Sequence, residues 1–335
     1  MSETETRPEE KKVPVVSRMQ LVTSPHAHTG WSTSAMMWLV TAALLPSLLA
    51  GVIFFGWRAL LLVAATIVGA VGAEWLINIW RKQPFSLFDG SALLTGLLLG
   101  LILPPSFPLL GALLGGVIAI GLGKAVFGGL GANIFNPALV GRAFLQAAFP
   151  VAMTTWTINK LTVDAVSSAT PLAIMKFRDA GVAAIEAMTP YGDMLMGTTA
   201  GCLGETSAVA VLIGGAVLLF TKVANWRIPL AMAIGAVALG GIFWLIDPTL
   251  YPNPLFHLLS GGFLFGALFM ATDLVTSPLT GKGMWYFGIG IGILTVLIRL
   301  FGGLPEGVMY SILLMNTAVP LINRWTRPKI FGEAK

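Results

Sequence analysis

From Ala35 to Ile322 long apolar runs alternate with short polar or Gly/Pro-rich intervals. A helix that crosses a bilayer needs about 20 mostly apolar residues. On that measure the pattern predicts ten helices: Ala35–Phe55, Ala59–Trp80, Ser91–Leu103, Leu109–Val126, Pro137–Phe149, Thr206–Phe220, Ile228–Ile246, Phe256–Ala271, Trp285–Phe301 and Gly307–Ile322. Several fall short of a full span. Short segments interrupted by Gly or Pro occur where broken helices line a buried site. The expected fold is all-α and integral to a membrane. Polar pieces divide it into an N-terminal segment (1–30), a first five-helix unit (31–150), a long segment (151–204), a second five-helix unit (205–325) and a polar tail (326–335).

The two units echo each other. Phe127-Gly-Gly-Leu130 precedes the fifth helix, and Phe301-Gly-Gly-Leu304, 174 positions later, precedes the tenth. A repeat of five helices, an odd number, has inverted topology, and such repeats build a central site where the halves meet.

Composition agrees with the pattern. Hydrophobic types make up 56% and charged types 10%, against about 25% charged in soluble domains, and the mean hydropathy is +0.84. That excludes a soluble enzyme and a disordered chain. The lone thiol, Cys202, excludes an internal disulfide, and a zinc or iron–sulfur site held by this chain alone. With both termini in the cytoplasm, 14 of the 20 Lys and Arg fall on the inner side, Lys124 among them, five on the outer side, and Arg142 within a helix. Basic residues favour the cytoplasmic side, so 151–204 is expected outside, with Cys202 near the outer surface. The net charge of +5 then reflects inner loops rather than nucleic acid. The start of the chain has no apolar core of a signal peptide. His26 and His28 lie beside Pro25 in a segment better suited to a surface than to a metal, and His257 is expected at an interface.

No phosphate-cradling Gly-rich loop for NAD or ATP is found, and Gly288-Ile-Gly-Ile-Gly292 lies in an apolar helix, where small residues serve close packing. Leu161-Thr-Val-Asp-Ala-Val-Ser-Ser-Ala-Thr-Pro-Leu172 reads as a helix start, and equally as a modification site. Asp164, Ser167, Ala169 and Thr170 match D-x-x-[ST]-x-A-T, which resembles the sequence at which a flavin transferase esterifies FMN onto the final Thr. Gly131-Ala-Asn-Ile-Phe-Asn-Pro137 holds Asn133 and Asn136, as caps of the helix beginning at Pro137 or as amides for a flavin edge. Acidic residues near spans are costly and mark function or pairing. Glu205, Asp273 and Glu306 are candidates for an ion path; Glu205 equally suits a helix dipole. Glu74 and Asp89 flank Arg81 and Lys82, as interfacial anchors would.

Taken together, these stretches resemble the RnfD family, subunits of the ion-translocating Rnf electron-transport complex and homologous to the NqrB subunit of the sodium-translocating NADH:quinone reductase. The resemblance also covers Asp89–Gly96, Leu103-Pro-Pro105, Gly204-Glu-Thr-Ser207, Met270–Pro278 and Pro305–Met309. Ser168 and Leu274 depart from it, standing for the family's Gly and Pro. It implies covalent FMN on Thr170 as a phosphoester, a non-covalent riboflavin near Asn133 and Asn136, and electron transfer between ferredoxin and NAD coupled to Na+ or H+ translocation. Implied partners are the other Rnf subunits, with iron–sulfur clusters and further flavin, a flavin transferase for maturation, and the lipid of a bacterial inner membrane. The alternative is a urea- or ammonium-channel-like transporter without a redox cofactor.

Overall fold

Pro46 decides how the first apolar run folds. Lacking an N–H, it cannot bond the carbonyl four residues earlier, and the helix expected over Ala35–Phe55 divides at Leu44 into α1 (Thr33–Ala43) and α2 (Leu45–Phe55). Gly56, at φ 76°, turns the chain into α3 (Trp57–Arg81). The structure, a computed structural model, describes residues 31–82, 87–156, 170–177, 191–197 and 199–328. Its elements are helical throughout the described residues.

After α3 come α4 (Ser91–Leu101), α5 (Leu109–Ile120) and α6 (Pro137–Ala148). α5 continues into a wider π turn at Gly121–Ala125. Three short helices follow, α7 (Pro150–Thr154), α8 (Pro171–Phe177) and α9 (Tyr191–Met196). Next are α10 (Ala208–Phe220) and α11 (Arg227–Ile246). The run expected over Phe256–Ala271 is broken. Gly261, at φ 58°, separates α12 (Pro254–Leu259) from α13 (Phe263–Phe265), and α13 passes into a π turn at Gly266–Met270. The last two helices are α14 (Gly281–Phe301) and α15 (Val308–Trp325).

Among the described residues, four stretches are long and apolar enough to cross a membrane: Thr33–Phe55, Trp57–Arg81, Arg227–Ile246 and Gly281–Phe301. With the apolar but shorter Ser91–Leu101, Leu109–Ala125 and Ala208–Phe220, they mark a multi-pass membrane chain. Trp57, Trp80, Trp226 and Trp325 near helix ends are exposed, as anchors at a membrane boundary would be. α4 is buried on nearly every face, so a short helix forms the centre.

Two helix pairs pack in the same way. A Cβ on Gly116 would stand 2.3 Å from Thr66 O and 2.8 Å from Ala70 N; one on Gly292 would stand 2.2 Å from Met232 O and 2.8 Å from Ala236 N. The reverse contacts match too, Gly69 against Leu113 O and Gly235 against Ile289 O. Met232, Gly235 and Ala236 each lie 166 positions after Thr66, Gly69 and Ala70, and Ile289 and Gly292 lie 176 after Leu113 and Gly116. Only glycine permits such approach of two backbones. The Phe-Gly-Gly-Leu echo does not share a conformation, since Gly128 and Gly129 have φ of 116° and 111° while Gly302 is at −71°.

Candidate functional site

α6 begins in one cluster of polar side chains and reaches a second one turn and a half later. At its start Asn136 caps the helix, its Oδ1 accepting from Ala138 N at 3.0 Å, while its Nδ2 donates to Met270 O at 3.3 Å. Asn133 donates to Phe135 O at 3.1 Å. Its Oδ1 is buried without a hydrogen-bond partner. Both amides line a cleft with about 750 Å³ of empty space, whose walls include Met37, Leu94, Leu98, Leu218 and Phe269. Thr272, Asp273, Ser91 and Lys124 supply further polar groups. The π turns of both halves reach this amide cleft through Lys124 and Phe269; such bulges occur often at functional sites. Asp273 accepts from Thr276 Oγ1 at 2.9 Å and Val275 N at 3.5 Å. Burial pushes its carboxyl above the usual range, against the pull of those bonds.

The second cluster is ionic. Arg142 is 5% exposed and pairs with Glu306. It also reaches Cys202 Sγ at 3.6 Å. Cys202 is fully buried within the protein. Its segment lies against the end of α4, with Leu203 N bonded to Leu103 O and Gly204 N to Leu101 O. Non-helical backbone is tolerated at membrane depth where protein covers it. Cys202 Sγ and one carboxylate oxygen each of Glu205 and Glu306 lie within 4.8 Å of one another, with the Arg142 guanidinium as their cation. Glu205 does not open a helix: Ser207 caps α10, and Glu205 Oε1 folds back to accept from Cys202 N at 3.0 Å. Arg299, fully buried, donates to His257 O and to Ser260 O and Oγ. His257 is itself buried, against the expectation of an interfacial side chain.

Thr170 stands over this cluster. It is 5% exposed, and its Oγ1 accepts from Ala173 N at 3.1 Å at the start of α8. It lines a small pocket with Glu205, Glu306, Ser260 and Gly261. Lys176 fixes α8 by donating to the carbonyls of Ile298, Arg299 and Leu304 at the end of α14, as cations do at helix C-termini. Asp164, Ser167 and Ala169 lie outside the described residues. The structure thus brings Glu205, Glu306 and Thr170 together, and places Asp273 apart with Asn133 and Asn136.

Comparison with known proteins decides the relationship. Residues 20–332 match the sequence pattern of the NQR2, RnfD, RnfE family. The chain belongs to that family. It is 45% identical to the D subunit of the proton-translocating ferredoxin:NAD(+) oxidoreductase complex of Clostridium ljungdahlii, over 93% of this chain and 96% of that protein. It is 43% identical to the D subunit of the Na(+)-translocating ferredoxin:NAD(+) oxidoreductase complex of Acetobacterium woodii, over 93% and 95%. It is 40% identical to the D subunit of the ion-translocating oxidoreductase complex of Stutzerimonas stutzeri, over 90% and 93%. These relatives are subunits of redox complexes.

Within this NQR2, RnfD, RnfE chain, sequence reasoning missed two residues. Lys124, counted among the inner-side cations at the end of the helix expected over Leu109–Val126, is paired inside the protein, and Glu74 is not an interfacial anchor. Lys124 Nζ bonds Glu74 Oε1 at 2.8 Å and Oε2 at 3.0 Å, and both residues are buried. The signal available was an acid within an apolar run, which in a membrane calls for a partner.

Proposed function

We propose that the chain is the RnfD-type subunit of a redox-driven ion translocase working between ferredoxin and NAD. On this reading it carries FMN esterified to Thr170 and a non-covalent riboflavin in the amide cleft, in a frame of ten spans and two inverted repeats. The matched glycine contacts of α3 with α5 and of α11 with α14 support the repeat. The observation that carries the flavin reading is Asn133 Oδ1, a buried acceptor with no donor in an otherwise largely apolar cleft. A ring N–H would satisfy the orphaned oxygen. At Thr170 the support is its place in the matching sequence pattern and its position in a pocket lined by Glu205, Glu306 and Gly261. The chain's relationship to redox-complex subunits sets the channel alternative aside.

When bound, a flavin supplies one-electron transfer, and the protein sets position and electrostatics. Asn133 and Asn136 would orient a ring edge, and the apolar walls would exclude water. Glu205 and Glu306, held with Arg142, are the candidate ion path beneath Thr170; Asp273 is the corresponding acid at the amide cleft. Two relatives of nearly equal identity bear the names of different ions, which puts ion choice in a few side chains rather than in the fold. The proposed partners are the other subunits of the complex, with their iron–sulfur and flavin carriers, and a flavin transferase. The setting is a bacterial inner membrane with both termini cytoplasmic. Co-expression with a flavin transferase tests the reading: a denaturing gel should show a fluorescent band that Thr170→Val abolishes. A band that persists in that variant overturns the attachment site.

A further inference from the structure

Lys124 stands in the wall between two clefts. One is the amide cleft, which Lys124 and Ser91 both line. The other holds about 820 Å³ of empty space and is lined by Glu74, Asn78, Arg81 and Lys124. Lys124 is 5% exposed, and an ammonium has three N–H donors. Its bonds go to the two oxygens of Glu74 and, at 2.6 Å, to Ser91 Oγ. Ser91 in turn donates to Asp89 Oδ1 at 2.6 Å, which leaves its lone pairs turned to the ammonium. A hydrogen-bonded file therefore runs from a carboxylate on one cleft, through an ammonium, to a hydroxyl on the other. Stability alone does not account for it, because well-packed apolar residues often replace a buried ion pair without loss.

We propose that Glu74 and Lys124 carry protons from the second cleft to the ligand of the amide cleft. The inference rests on the reading that a flavin ring occupies the amide cleft. A ring that gains an electron gains negative charge, and burial makes that charge costly unless a proton follows. For each electron delivered by a neighbouring electron-carrying subunit, one N–H bond of Lys124 breaks and one forms at a ring nitrogen. Glu74, the carboxylate of the pair, then takes a proton from water in the second cleft and passes it to the Lys124 amine, which restores the ion pair. The ring ends with one electron and one proton more, and the water with one proton fewer. Ser91, oriented by Asp89, is a positioning residue that holds the ammonium against the amide cleft. Arg81 in the second cleft and Asp273 in the amide cleft are the other charged groups that face this path among the described residues.

The test uses the purified full-length chain with its extractable flavin. The flavin is reduced by a photochemical one-electron donor after a flash, and ring protonation is followed by its own absorbance. The double variant Glu74→Gln/Lys124→Met removes both charges of the ion pair together. It should retain the flavin and slow protonation by about 100-fold or more, the scale of general acid catalysis. Ser91→Ala keeps the ion pair and should slow it less, with Ser91→Thr restoring the rate. A double variant that keeps its flavin and protonates at the wild-type rate overturns the proposal. If the double variant does not fold, an unchanged rate in Ser91→Ala does the same. A wild-type chain that yields no flavin on extraction removes the cleft reading, and the relay with it, before any variant is compared.

Discussion

Asn133 and Asn136 sit three positions apart, with different partners. Asn136 spends its side chain on Ala138 N and Met270 O, while Asn133 keeps a buried oxygen with none. Without a ligand, Asn133→Leu removes an orphan and should cost the fold little. With a flavin in the cleft, the same change removes the ring's acceptor. Extractable riboflavin should then fall, with affinity lower by roughly 5- to 150-fold for about 1–3 kcal/mol, while FMN on Thr170 is unchanged. Flavin extraction and chromatography, normalised to covalent FMN, read this directly. Asn136→Asp keeps the cap but sets a carboxylate against Met270 O, so its main expected effect is a lower melting temperature. The ionic cluster gives a second contrast. Arg142→Met leaves Glu306 without its partner, and breaking a buried pair costs about 3–5 kcal/mol. Because Glu306 keeps 24% side-chain exposure, the lower end of that range applies. Arg142→Met/Glu306→Leu should melt above Arg142→Met alone. Thr170, Asn133, Asn136 and the three acids were all singled out as candidates from their neighbours in sequence. Lys124 was not, because a cation near the end of an apolar helix counts only as an inner-side charge until the fold brings Glu74 to it.

Helices with long apolar runs were read to within a few residues, as α3, α11 and α14 show. The breaks were harder to see. Leu44 and Gly261 interrupt runs whose hydrophobicity continues without pause, so periodicity carries no sign of them; Pro46 and the Ser260-Gly261-Gly262 sequence were the available cues. The echo in sequence and the echo in packing fall in different places: Phe-Gly-Gly-Leu recurs in sequence but not in backbone, whereas Gly69, Gly116, Gly235 and Gly292 recur in contacts. These glycines are testable. Gly116→Ala and Gly292→Ala would each drive a methyl into a backbone oxygen, at about 1–3 kcal/mol for overpacking. Gly72→Ala meets nothing within 4 Å, and in a helix interior it should stabilise by roughly 0.5–1 kcal/mol. Thermal unfolding in detergent should lower the first two melting temperatures and raise the third.

For the whole molecule, the distribution of Lys and Arg predicts which side each loop faces. Leu250, after α11, and Leu279, before α14, are 64% and 81% exposed. If both termini are cytoplasmic, as proposed, Leu250 lies outside and Leu279 inside. Cys202 is fully buried, so the native background of thiol labelling should be low. An impermeant maleimide added to intact cells should label Leu250→Cys and reach Leu279→Cys only after lysis. The opposite result would invert the chain and move Thr170 to the cytoplasmic side.

α6 is tied twice to the other half of the sequence, by Asn136 to Met270 and by Arg142 to Glu306. Many secondary transporters work by rocking one repeat against the other to expose a site alternately. Here such rocking would break a buried hydrogen bond and an ion pair on the same short helix, one near each end of its first two turns. Under the proposed function the two ties oppose such rocking, so chemically joining the two halves across α6 should leave turnover unchanged.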